Sequence, residues 1–189
     1  MSTEDLKDVR LSKLELLKSA GMDPYPARVN RDMSLVEVRN KFDEFSDKTI
    51  SIAGRVMAQR GQGAILFVPL FDGTDTFQAV LKKDEIEESL FKLFVDAVDT
   101  GDFISVTGTL FTTQKGEKSI QVKTWTMLSK SLLPMPEKWA GIQDDELRLR
   151  KRYLDLLLDN DAREIFYKKS KFWEATRNFL KKEGFLEVE

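Results

Sequence analysis

Phe67 stands in an alternating run, Ile65 to Phe71, where its parity is opposite to that of Leu66, Val68 and Leu70. If those three residues line a core, the Phe67 ring points outward. Gln78 has the corresponding outward parity in the next alternating run, in which Phe77, Ala79 and Leu81 face in. Arg60 lies in the loop before Phe67, and Glu117 lies in a later loop, Gln114-Lys115-Gly116-Glu117. An outward aromatic ring stacks on an unpaired base for about 1–3 kcal/mol, and Gln, Glu and Arg can hydrogen-bond the base's Watson–Crick edge. Taken singly, each polar residue is ordinary solvated surface, and Phe67 is ordinary core if N-terminal helices cover its face. Falling together on one face, the four residues form the constellation of a single-strand reader.

Other chemistries are excluded by composition. The 189 residues contain neither cysteine nor histidine, which removes disulfides, thiol nucleophiles, histidine-based triads and zinc sites built from the usual ligands. Thirty Lys plus Arg against 32 Asp plus Glu give a net charge of -2, unlike a protein that coats nucleic acid wholesale, although a local basic face remains compatible. Gly61-Gln62-Gly63 lacks the Lys-Ser or Lys-Thr of a phosphate loop and falls in a β-β turn, so no nucleotide is expected there. The acidic start lacks a signal-peptide apolar region, and the longest apolar run, Ala64 to Phe71, is interrupted by Pro69. No membrane partner is expected, and the cytoplasm is the expected location. No residue is assigned a catalytic or metal-binding role.

Positioning the four residues requires a barrel. A helix is expected over the first 20 residues, with Leu11, Leu14 and Leu17 inward and Gly21 at its end. A second helix, Ser34 to Phe45, begins with a Ser34/Glu37 capping box. From Thr49 the period becomes two: three strands, a helix over Asp84–Val98, and two further strands, the last with Ile120, Val122 and Leu128 inward. That order over about 80 residues is that of an OB-fold, although other five-stranded barrels remain compatible. In an OB-fold the oligonucleotide face is made by strands 2 and 3 and the loops after strands 1 and 4. After a Pro134/Pro136 connector come a helix over Asp144–Leu158 with a basic run, Arg148 to Arg152, and a second over Asp161–Lys182. The basic run is more naturally a solvated, internally paired face than a phosphate contact. Ile165, Phe172 and Phe179 repeat every seven residues beside Phe166, Trp173 and Leu180, a stripe fitting either packing within the domain or a dimer seam. Phe185 to Glu189 alternates as the start of a strand.

The fold class expected is therefore mainly β with flanking helices (α+β). An N-terminal helical segment (1–48) precedes the barrel (49–131), a connector (132–143) and a helical segment (144–189).

Several segments together resemble the N-terminal part of a class II lysyl-tRNA synthetase. They are Asp23-Pro24-Tyr25-Pro26, Ala53-Gly54-Arg55-Val56-Met57, Phe67 with Asp72, Gly116-Glu117-Lys118-Ser119-Ile120, Leu133-Pro134-Met135-Pro136-Glu137-Lys138-Trp139 and Arg152-Tyr153-Leu154-Asp155-Leu156. Tyr-Leu-Asp-Leu alone would also suit the aspartyl and asparaginyl enzymes; the Pro-Glu-Lys and Gly-Glu-Lys-Ser segments favour lysine. The resemblance implies an OB domain that binds a uridine-rich tRNA anticodon. Phe67 would stack on a base, Gln78 and Glu117 would bond the central uridine, Arg60 would add a contact, and Arg55 would face the same groove. Gln59 departs from the family pattern, standing where bacterial relatives often carry a second arginine. The segment Gly184 to Glu189 resembles the beginning of motif 1, the family's dimer-interface element, with the rest of the catalytic domain beyond it. ATP and Mg2+ are thus implied for the parent enzyme and no cofactor for these residues. The implied partners are tRNA with a lysine anticodon and, in the parent, a second subunit, with no DNA expected; a general single-strand binder is the alternative.

Overall fold

The computed structural model describes residues 3–46, 48–61, 63–135 and 144–188. The chain divides into two compact units, Met1–Met135 and Pro136–Glu189. The Pro136 half of the proline connector, with Glu137-Lys138-Trp139, falls outside the described residues.

The first unit contains helix α1 (Thr3–Ser19), helix α2 (Leu35–Asn40), a 3-10 turn (Phe42–Phe45), strands β1 (Thr49–Val56), β2 (Ile65–Phe71) and β3 (Thr76–Lys82), helix α3 (Glu88–Ala97), and strands β4 (Phe103–Thr112) and β5 (Lys118–Ser129). The strands close into a barrel in the order β1-β2-β3-β5-β4. All neighbours are antiparallel except β3 and β5, which run parallel. This is the OB-fold order expected from the alternation. One residue set of each strand fills the barrel: Ile52, Val68, Leu70, Phe77, Leu81, Ile104, Val106 and Ile120 are all essentially buried. Phe94 of α3 meets Trp125 edge to face at 5.1 Å, and the Trp125 indole N–H donates to the Leu90 carbonyl at 3.0 Å.

Four local expectations change. The fifth strand buries Trp125 and Met127 rather than Leu128, because the register shifts where Thr107 faces Thr124 but Gly108 faces Val122. The extra residue, Lys123, turns every later side chain to the other face. At that bulge a Cβ on Gly108 would lie 1.9 Å from the Gln121 carbonyl oxygen, so only glycine lets the strands approach. On α1 the inward stripe is Arg10, Leu14 and Leu17, while Leu11 is exposed. The expected Ser34–Phe45 helix keeps its Ser34/Glu37 capping box but breaks at Lys41 into the 3-10 turn. The helix expected from Asp84 starts at Glu88, with Lys83 to Ile86 forming a turn that still buries Ile86.

At the exit of β5 the fold buries charge. Lys130, fully buried, donates to the Asp102 carboxylate (2.7 Å), the Asp99 carboxylate (2.6 Å) and the Ala97 carbonyl (2.8 Å). Asp102 also accepts from the backbone N–H groups of Asp99 and Ser131, and Asp99 from Lys13 of α1. The Arg10 guanidinium completes the knot by donating to the carbonyls of Ser131, Leu133 and Thr100. Three distant segments are thereby tied at one point. Burial by itself would raise the Asp99 carboxyl, but hydrogen bonds and charge from Lys13 and Lys130 outweigh it and hold it below its ordinary 3.8.

The second unit holds α4 (Asp145–Arg150), α5 (Arg152–Leu158) and α6 (Asn160–Lys182). The single Asp144–Leu158 helix expected is split at Lys151, where Arg148 (2.9 Å) and Arg152 (2.6 Å) converge on the buried Asp155 carboxylate. The basic run is thus internally paired. Gly184 ends α6 at φ 87°, and Phe185 to Val188 are not a strand; Glu187 instead folds back to Arg177. A strand needs a neighbour, and the described residues offer none there.

Replacing Lys130 by Ala leaves Asp102 buried without its counter-charge and is expected to cost about 3–5 kcal/mol in urea unfolding. Because the folded Asp99 carboxyl lies below 3.8, its contribution is complete above that pH and disappears as pH falls through the folded value. Asp99→Asn should therefore be less stable than wild type at pH 7, and the gap should narrow below pH 3.8.

Candidate nucleic-acid interface

The chain path between β1 and β2 places the first two residues. Met57 N–H donates to the Pro69 carbonyl at 2.9 Å, and there the β1–β2 pairing ends, since Pro69 has no N–H to offer. The chain leaves the sheet and returns at Arg60, which pairs with Phe67 through both backbone groups (3.0 and 2.7 Å). A Cβ on Gly61 would sit 2.2 Å from the Ile65 carbonyl oxygen, so glycine there serves this return rather than any phosphate. Arg60 is exposed beside the half-buried Phe67. Phe67 lies outside the core cluster, whereas its neighbours Val68 and Leu70 are inside it.

Register brings Gln78 to the same outer face. Phe67 faces Val80 and Pro69 faces Gln78 across the β2–β3 ladder, so ring and amide are diagonal neighbours. Gln78 also lies opposite Ser119 in the parallel β3–β5 pair, and its Nε2 donates to Ser119 Oγ at 2.9 Å. Glu117, two residues before Ser119, is exposed at the end of the β4–β5 turn. That turn is held by Thr113 N–H donating to the Glu117 carbonyl (2.9 Å) and Glu117 N–H donating to Thr113 Oγ1 (3.0 Å), with Gly116 at φ 82°. Lys118 lies 4.7 Å over the Phe42 ring. Arg60 and Phe67, level with Val80, then Gln78, and then Glu117 just before β5 thus lie along one outer β2–β3–β5 face, offering a ring, an amide, a carboxylate and a guanidinium.

Arg55 is placed differently. It lies opposite Phe71 on one side and Phe103 on the other. Its guanidinium donates to the Gly101 carbonyl at 3.0 Å and covers the Phe103 ring at 4.2 Å. Partial burial lowers its pKa, offset in part by the charge of Asp102. The structure therefore gives Arg55 to the β1–β4 seam. Gln59 is also committed: its amide donates to the Val98 carbonyl at 2.8 Å, fastening the loop after β1 to the end of α3.

Two residues were not singled out for roles from spacing. Asp72, in the β2–β3 hairpin, accepts from Arg31 (2.5 Å), Leu35 N–H (2.9 Å) and the Thr74 hydroxyl (2.6 Å), anchoring the start of α2 to the hairpin. Burial would raise its carboxyl, yet hydrogen bonds from the Thr74 hydroxyl and from the backbone N–H groups of Leu35, Thr74 and Asp75 hold it below 3.8. Ser119, fully buried, joins Gln78 to the Glu117 backbone. Its outward parity beside the core residue Ile120 was the available signal.

Comparison with known proteins matches residues 50–128 to a family described as "OB-fold nucleic acid binding domain" and residues 144–189 to "tRNA synthetases class II (D, K and N)". The lysine--tRNA ligase of Syntrophomonas wolfei is 41% identical over 189 residues, covering 100% of this chain and 38% of the relative. That of Carboxydothermus hydrogenoformans is 42% identical over 185 residues, covering 98% and 38%. That of Trichormus variabilis is 38% identical over 201 residues, covering 100% and 36%. The chain thus spans less than two fifths of the length of these curated relatives.

Arg55→Ala should act on stability. Losing one charged hydrogen bond and one ring contact is expected to cost about 1–2 kcal/mol in urea unfolding. Binding of single-stranded RNA, measured where both proteins are folded, should change less than twofold.

Proposed function

We propose that this chain is the N-terminal part of a lysine--tRNA ligase of the class II synthetases and recognises the anticodon of a lysine tRNA through the outer face of its barrel. The observation that supports the reading is the alignment of Arg60, Phe67, Gln78 and Glu117 along one outer face of β2, β3 and the start of β5. Phe67 supplies a stacking platform, which every base accepts. The Gln78 amide and Glu117 carboxylate supply hydrogen-bond partners for one base edge, and Arg60 supplies positive charge for a phosphate or a second base. An unpaired anticodon loop is the kind of RNA whose base edges are free to be read this way. Arg55, held by the Gly101 carbonyl and the Phe103 ring, is proposed to support the sheet rather than touch the base.

The parent reaction proposed is ATP-dependent attachment of lysine to tRNA through a lysyl-adenylate, with Mg2+. Among the described residues no group of three or more acidic side chains is placed to hold a metal ion. The described residues are proposed as the recognition part, and no step through ATP or magnesium is assigned to them. The apolar stripe of α6, with Ile165, Phe172 and Phe179 each more than 60% exposed, fits the proposed dimer seam of the parent. Among the described residues no helix is long and apolar enough to cross a membrane. Residence in the cytoplasm, where tRNA is charged, is part of the same proposal.

The test is a titration with two anticodon stem-loops, one with the lysine anticodon and one with its central uridine replaced. Tighter binding of the first is expected; equal binding would sink the anticodon reading in favour of a general single-strand binder. Phe67→Ala should weaken binding by about 1–3 kcal/mol, the value of one stacked base.

A further inference from the structure

The Gln78 amide has two chemically opposite ends, and the end it turns to a base decides which base is read. Ser119 settles that choice. Its Oγ donates to the Glu117 backbone carbonyl at 3.2 Å and receives Gln78 Nε2 at 2.9 Å. A hydroxyl carries one proton, and a backbone carbonyl can only accept. The Ser119 proton is therefore committed to Glu117, and only an oxygen lone pair remains for Gln78. Position 78 must then supply an N–H, which places Nε2 against Ser119 and turns Oε1 away from it. Because Ser119 is fully buried, water does not compete for the hydroxyl.

From this geometry we infer that Ser119 is a positioning residue whose hydroxyl fixes the Gln78 amide with its carbonyl oxygen toward the bound base, making the site select a ring N–H donor. The Glu117 carboxylate is exposed and, when ionised, is also an acceptor. An acceptor aimed at the ring nitrogen pairs with the N3–H of uracil and opposes the bare N3 lone pair of cytosine. The selectivity rests on the anticodon reading proposed above; the amide orientation does not. Glu117 and Ser119 also act as a unit here, because the backbone carbonyl of the proposed reader residue is what directs the hydroxyl that orients the other reader.

Two measurements on the full chain test the two parts separately. Nuclear magnetic resonance of the Gln78 side-chain amide, assigned from a Gln78→Met variant, should show protons protected from solvent exchange in wild type and released in Ser119→Ala. Exchange as fast as in a free glutamine in the wild type would overturn the orientation, and this reading needs no folded Ser119 variant. Stem-loops with uridine or cytosine at the central position should differ in affinity by about tenfold on the wild type. That ratio should fall below threefold in Ser119→Ala and return in Ser119→Thr, which keeps the hydroxyl. An unchanged ratio in a folded Ser119→Ala would overturn the inference while leaving the anticodon reading intact. Equal binding of both stem-loops by the wild type would overturn that reading and, with it, the selectivity assigned to Ser119.

Discussion

The parallel contact between β3 and β5 is the constraint on which the barrel and its outer face both depend. Five strands form a closed sheet only if the last pairs with the third as well as the fourth, and here Gln78, Ala79 and Val80 meet Ser119, Ile120 and Gln121. The same three registers fill the interior with Ala79 and Ile120 and place Gln78 against Ser119 outside. Closure and site are thus one event: without the β3–β5 pairing there is neither a continuous core nor a Gln78 held in a fixed orientation. Barrel closure also removes most free edges, which are otherwise templates for aggregation.

Closure has a geometric consequence in β5. The strand pairs with β4 and reaches β3, and the bulge opposite Gly108 lets it bend between them. The bulge reverses the inward set from Ile120 and Val122 to Trp125 and Met127, which is how Trp125 reaches Phe94 of α3. At the far end of β5, Lys130 is drawn fully inside and satisfied by two carboxylates and a carbonyl. Such a knot is weak as a source of net stability and strong as a specifier of geometry, because any other placement leaves a buried charge unpaired. Arg10 and Lys13 of α1 join the same cluster, so the N-terminal helix is seated by polar contacts as much as by Leu14 and Leu17.

The outer face illustrates how two residues of similar type acquire different tasks. Arg60 and Arg55 both precede Phe67 in the chain, yet Arg60 is exposed beside the ring while Arg55 is occupied by Gly101 and Phe103. Gln59 has the chemistry of a base reader but is spent on the Val98 carbonyl. In the second unit, Arg148 and Arg152 are likewise held by Asp155, so the basic run is an internal clamp. Availability, set by the neighbours that three-dimensional packing supplies, separates the proposed recognition residues from the structural ones.

Alternation of apolar residues was enough to find all five strands, the intervening helix and the outward parity of Phe67 and Gln78. Those signals are local: side-chain period, capping residues and glycines are properties of a few consecutive positions. The segments resembling lysyl-tRNA synthetases likewise lie in the sequence itself. What tertiary structure alone decided was long-range. The Gly108 bulge exchanged Leu128 for Met127, and the burial of Lys130 and Arg10 ran against the expectation for charged residues. The commitment of Arg55 and Gln59 depended on carbonyls some 40 residues away, and the Ser119 link between Gln78 and Glu117 depended on a strand pairing across a similar distance. Each of these needs a partner that chain order does not place nearby, and hydrogen bonding to such partners exists only after the barrel has closed.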